Sequence, residues 1–192
     1  MRKLTLHDVK DLREYERERE AFRAEIIAAK QRRRISLGDL MSIVFENAAT
    51  MRFQIQEMAR AERMLRDEQI AQELETYNEL IPEDGELSGT LFIEIDDSEA
   101  LQYWLPRLVG IHEHLHLVVA GATITGRGQD LDRLTRADTT PTVHYLKFHF
   151  TPEQQRAFAT GRVRIVIDHP EYDVDVELTD EQRDELVGDF AA

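Results

Sequence analysis

The chain of 192 residues holds 38 Asp and Glu against 24 Lys and Arg, and its formal charge of −14 argues against general nucleic-acid binding, which needs a basic footprint. It has no cysteine, which excludes disulfides, thiolate metal sites, iron–sulfur ligation and cysteine nucleophiles. No run approaches the ~18 uncharged apolar residues of a membrane span, and no secretory leader pattern is present, so a cytoplasmic protein without a membrane partner is expected.

Thr5 with Asp8 reads as a capping pair opening a helix that runs to about Gln31. Leu12, Tyr15, Phe22 and Ile26 mark its buried stripe. Arg19 shares that stripe and should meet a carboxylate or open to water. Lys30-Gln-Arg-Arg-Arg34 closes the helix, as basic residues suit a helix C-terminus; its Arg forks would also suit an anion clamp. Ile35 to Phe45 reads as a hairpin turned by Gly38-Asp39, and Asn47 caps the next helix.

That helix, Thr50 to Arg63, is too charged for a core helix and too apolar for a surface one. At about 100° per residue, Met51, Ile55, Met58, Ala61 and Leu65 share one arc. Arg52, Gln56, Ala59, Arg60 and Arg63 fall opposite. Gln54 and Glu62 interrupt the apolar arc. Either each bonds to nearby backbone or Arg, or the two line a site, because an unpaired buried polar group costs a few kcal/mol.

Asp67 opens a further helix to Leu80, with Ile70, Leu74 and Tyr77 inward. Ile81-Pro82-Glu-Asp-Gly85 breaks it. The expected organisation is a single domain over 1–192, with a helical half at 1–82 and a strand-rich half at 86–192. Leu87 to Ile95 is a strand, and Asp96 with Glu99 caps a short helix. Ile111 to Val119 alternates as a strand. Gly121 to Thr140 reads as the longest irregular stretch. Val143 to Phe150 is a strand, followed by a helix from Thr151-Pro152 to Gly161. Val163 to Ile167 is a strand stopping at Asp168-His169-Pro170. Asp173 to Leu178 alternates acid with apolar, as an edge strand does. Thr179 with Gln182 caps a last short helix.

The charge is unevenly spread. Residues 1–34 hold 11 Lys and Arg against 7 Asp and Glu; residues 168–192 hold 10 acids against one Arg. Either the two ends lie together, or the acidic end is a partner-binding face.

His112, His114 and His116 would share one strand face. A His-x-His pair can bind one divalent metal, here Zn, Fe or Mn, with His112 and His114 as ligands and a third from His144, His149, Asp168 or His169. All three on one ion from a flat strand is disfavoured, since the outer two would stand ~13 Å apart at the backbone. The competing reading is an exposed polar strand face. Asp168-His169 is either a general-base pair or a turn stopped by Pro170. There is no Gly-x-Ser-x-Gly elbow and no P-loop.

Several runs together resemble a known family: Phe22-Arg-Ala-Glu-Ile-Ile, Lys30 to Gly38, Phe53-Gln-Ile-Gln-Glu-Met-Ala-Arg-Ala-Glu-Arg63, Tyr77-Asn-Glu-Leu-Ile-Pro82, Val143-His-Tyr-Leu-Lys-Phe and Asp168-His-Pro-Glu-Tyr172. They are similar to the domain-of-unknown-function 3501 family of bacterial proteins, over nearly the whole chain. That family has no assigned activity. Its genes often stand beside those of rubrerythrin-like and iron–sulfur redox proteins, which implies a role in peroxide or redox metabolism. The resemblance carries over Arg32, Arg33, Arg34, Gln54, Gln56, Glu57, Arg60, Glu62, Arg63, His144, Asp168 and His169; the His112–His116 run lies outside the pattern.

The expected fold is α+β: a mostly antiparallel sheet packed against the long N-terminal helix and the Gln/Arg-rich helix. The first functional expectation is a non-catalytic accessory protein of a redox or peroxide-stress system, docking a redox metalloprotein. The alternative is a metal- or anion-binding enzyme with a pocket between the 50–63 helix and the sheet. Its ligand-binding residues would be Arg34, Gln54, Gln56, Glu57, Arg60, Glu62, Arg63, His144, Asp168 and His169. A homodimer is compatible with either.

Overall fold

A computed structural model describes residues 1–128 and 139–190 of the chain. Among these it holds six α-helices and two antiparallel sheets, an α+β fold. Helix α1 (Leu12–Arg33) leads into strands β1 (Arg34–Leu37) and β2 (Met41–Glu46), then helices α2 (Ala48–Ala61) and α3 (Asp67–Asn78). Strand β3 (Glu86–Ile93) and helix α4 (Ser98–Trp104) follow, then β4 (Leu115–Val119), β5 (Ala122–Thr125) and β6 (Arg127–Gly128). The chain finishes with β7 (Val143–His149), α5 (Pro152–Thr160), β8 (Val163–His169), β9 (Tyr172–Glu177) and α6 (Asp180–Phe190).

One sheet has the order β1-β2-β3-β7-β6 and the other β5-β4-β8-β9. Their facing sides form the main core, in which Leu37, Ile43, Phe45, Leu146 and Phe148 of the first sheet meet Leu115, Leu117, Ile165 and Ile167 of the second. All of these are fully buried, and each contributes about 1.5–3 kcal/mol by leaving water. The sheets are joined at both edges. At one, the chain crosses from β5 to β6 at Gly126, whose N–H donates to Leu115 O at 2.9 Å. A Cβ there would stand 3.0 Å from the Phe148 ring and 3.2 Å from Leu115 O, so a larger residue would press on both. At the other edge Tyr172 Oη donates to Leu37 O at 2.6 Å, tying β9 to β1.

Strand alternation sends Tyr145 the opposite way from His144 and Leu146. Tyr145 joins a second core on the far side of the first sheet, made by Leu4, Met51, Ile55, Leu74, Leu80 and Ile81. The helices α2 and α3 therefore cover one face of that sheet, and the second sheet covers the other. No helix among the described residues is long and apolar enough to cross a membrane.

The caps explain several boundaries. Asn47 accepts from Thr50 N, Thr151 from Gln154 N, and Thr179 from Gln182 N, as their sequence patterns indicate. Elsewhere the fold departs from the sequence reading. Thr5 and Asp8 cap only a 3-10 turn, Leu6–Asp8, and Asp11 caps α1 by accepting from Arg13 N and Glu14 N. Asp97, not Asp96, caps α4. Part of the stretch read as irregular is the β4–β5 hairpin; residues 129–138 of it lie outside the described residues. β8 continues through His169, which pairs with Tyr172.

Candidate functional site

Helix α2 buries two faces rather than one. Met51 and Ile55 meet the sheet side, while Gln56 and Ala59 are also buried. The arc drawn from periodicity is wrong at its C-terminal end: Ala61 is exposed and Leu65 is 81% exposed. The helix stops at Ala61, so the 100° step no longer applies to Leu65.

Gln56 meets the segment before α1. Its Oε1 accepts from Lys10 N at 2.9 Å and its Nε2 donates to Lys10 O at 2.8 Å. Glu57 accepts from Tyr15 Oη at 2.7 Å and from both Arg19 Nε and Nη2 at 2.7 Å. Arg19, expected from its place on the buried stripe to meet a carboxylate or open to water, meets the Glu57 carboxylate. The Arg19 guanidinium, helped by Tyr15, holds the Glu57 carboxyl down to about 2. Burial, reinforced by Glu57, raises the Tyr15 phenol well above its ordinary range. Arg60 donates to Glu16 at 2.6 Å. Arg52 lies over the Phe22 ring, 4.6 Å from its centroid. Beside these groups the α1–α2 junction leaves a cavity of about 390 Å³ lined by Tyr15, Phe22, Arg52 and Gln56.

Gln54 is half-buried, Glu62 is exposed at the C-cap of α2, and Arg63 is exposed with φ 52°. These three do not join Gln56 and Glu57. Nor does any of the five reach the histidines: His144 points into the space between the sheets, on the opposite face of the first sheet from α2.

The basic run that ends α1 also looks inward. Arg33 is 1% exposed; its Nε donates to Phe45 O at 2.8 Å, and its two Nη groups pair with Asp189 and Glu185 of α6. Arg32 joins Glu185 at 2.9 Å, and Arg34 pairs with Glu94. The basic start and acidic end of the chain thus meet each other.

Five of the seven histidines gather at one end of the second sheet and its neighbour. His112 and His114 do not sit on the strand. Ile111–His114 is a 3-10 turn, and β4 begins at Leu115. The turn separates the two rings. His112 stacks on His144 with centroids 5.2 Å apart, and His114 stands edge-on to His169 at 5.0 Å. His144 is 1% exposed and bonds Thr140 Oγ1 at 3.0 Å; burial, then the nearby His112, lowers it to about 4.

His169 is buried, with Nδ1 accepting from Glu171 N and Nε2 reaching Val109 O, both at 3.2 Å. Both ring nitrogens are thus engaged with backbone groups. Asp168 and His169 lie in β8, whose ladder with β9 ends at the His169–Tyr172 pair, and Pro170 stands in the turn that follows. Asp168 points out of the opposite face of β8. Its Oδ1 accepts from His114 Nδ1 at 2.9 Å and His116 Nε2 at 3.1 Å, which holds the acid below its ordinary range. His116 Nδ1 lies 3.0 Å from Thr125 Oγ1.

The sequence pointed to His114 and Asp168 separately; the partner roles of His116 and Thr125 follow only from the register His116↔Thr125. No group of three or more histidines and acids among the described residues is placed to hold a metal ion.

A family model described as Protein of unknown function (DUF3501) matches residues 3–190. A crystal structure of a novel protein of unknown function from Burkholderia pseudomallei is similar over 98% of this chain and 99% of that one, with a TM-score of 0.92 at 30% identity. No curated protein matches.

Proposed function

The chain belongs to the DUF3501 family, and from that premise we propose that it is a non-catalytic accessory protein of a redox or peroxide-stress system that binds a metalloprotein partner. The observation that supports this reading is how fully the polar residues of α2 and α1 are used inside the fold. Gln56 spends both amide hydrogen bonds on Lys10, Glu57 is clamped by Arg19 and Tyr15, and Arg33 is locked to Asp189 and Glu185. Side chains so engaged act as mortar between helices, and a substrate would have to displace them. The gene company that the family resemblance implies supplies the redox setting.

The experiment is affinity capture from cells co-expressing this protein with a rubrerythrin-like protein and an iron–sulfur redox protein, washed at about 0.15 M salt, where exposed charge pairs are already screened. Co-elution of one of the two in fixed ratio is the expected result. Loss of both in the wash overturns the reading.

The competing reading, a metal- or anion-binding enzyme, finds its support in the cavity of about 390 Å³ at the α1–α2 junction, where Arg52 lines it beside Tyr15 and Gln56. Elemental analysis of the purified protein, before and after incubation with Zn, Fe and Mn, tests it. Stoichiometric metal would favour it over the accessory role.

A further inference from the structure

No described element covers the outer face of the four-stranded sheet, and its side chains form rows fixed by register. One row runs Thr125–His116–Val166–Asp175, the next Thr123–Val118–Arg164–Glu177, and a third begins at Asp168–Asp173. Thr123 and Thr125 are exposed, Val118 and Val166 half-buried, and the carboxylates of Asp168, Asp175 and Glu177 are 56%, 46% and 41% exposed. This is a flat sheet face with a small apolar centre and an acidic border.

We propose that this face docks a partner surface rich in lysine and arginine, resting on the accessory role argued above. Charge complementarity selects that occupant. Among the described residues, Asp168, Asp173, Asp175 and Glu177 face Arg162 and Arg164 as permanent cations on the same side, and each Arg is already paired, with Glu177 and Asp175. Asp173 has no ion pair among the described residues. A second copy of the same face would bring like charges together, so self-association through it is disfavoured. The half-buried Val118 and Val166 give the centre apolar area to cover, and the short β-branched rows around them leave it flat enough for another folded surface.

The test uses a lysine decapeptide as probe, with binding read by calorimetry and by amide shifts in the NMR spectrum. Shift changes should concentrate on β4, β5, β8 and β9. Asp173→Lys with Asp175→Lys should weaken binding about tenfold. Glu68→Lys with Glu75→Lys, the same charge change on exposed α3 positions, should alter it no more than about twofold. Equal losses in the two variants, or shift changes centred on α1–α3, overturn the proposal. The peptide measurement needs no redox partner. A protein that binds the peptide on this face while retaining neither redox protein would therefore keep the surface and remove the functional reading.

Discussion

Gln56 on α2 treats the Lys10 backbone as a strand would, accepting from its N–H at 2.9 Å and donating to its C=O at 2.8 Å. One side chain thereby satisfies both polar groups of a residue that no regular element would otherwise pair. It also fixes where α1 begins, since Asp11, the cap, is the next residue.

Gln56→Leu should lower stability by about 1–3 kcal/mol, because the Lys10 amide and carbonyl are left without partners in a half-buried site. Gln54→Leu, at a half-buried position with no hydrogen bond among the described residues, should stay within about 0.5 kcal/mol. Urea denaturation of the two variants beside the parent separates them; equal effects would remove the structural role assigned to Gln56.

Glu57 sets an acid-dependent part of the helix packing. Its folded value, about 2, lies below the ordinary 4.5. A depressed carboxyl contributes stability that is present above the unfolded value and lost as pH falls through the folded one. The parent should therefore lose stability between pH 4.5 and 2 faster than Glu57→Gln. Denaturation midpoints measured across that range give the comparison.

His144 should remain neutral when an exposed histidine has charged. Burial lowers it from 6.5 to about 4, so its contribution is present above pH 6.5 and is lost as pH falls from 6.5 toward 4. Its ring carbon shifts in a two-dimensional NMR titration should stay flat down to about pH 5. A midpoint near 6.5 would show that the ring is wet.

Arg33→Met should cost about 3–5 kcal/mol, because it strands the buried Asp189 carboxylate, which is already pushed upward by burial. Adding Asp189→Asn should restore much of the loss. Limited proteolysis should cut near α6 in the single variant and spare the double one. Equal sensitivity of the two variants would mean that Phe190, packed on Phe150 and Phe158, holds α6 without the ion pair.

Much of the secondary structure was legible because its signals are local. Asn47, Thr151 with Pro152, and Thr179 with Gln182 each mark a helix start by a hydrogen bond that spans three residues. The β1–β2 hairpin follows from Gly38, held at φ 68°. The acidic alternation of β9 and its place at an edge follow from period two alone. One reading failed where a local pattern could not see its neighbours. The His112–His116 run alternates like a strand, yet its first three residues turn so that His112 can lie against His144 and His114 against His169.

Composition and periodicity by themselves determined the α+β class and the helix starts at Asn47, Thr151 and Thr179, and left open whether the basic start and acidic end meet. Tertiary structure alone decided that the strands form two sheets, that Gln56 and Glu57 turn toward Lys10, Tyr15 and Arg19, and that His144 stands on the far side of the first sheet from α2. The reason is range: a cap or an alternating strand is encoded within a few residues, whereas the partner of a polar side chain is set by which distant backbone the packing of apolar faces brings beside it.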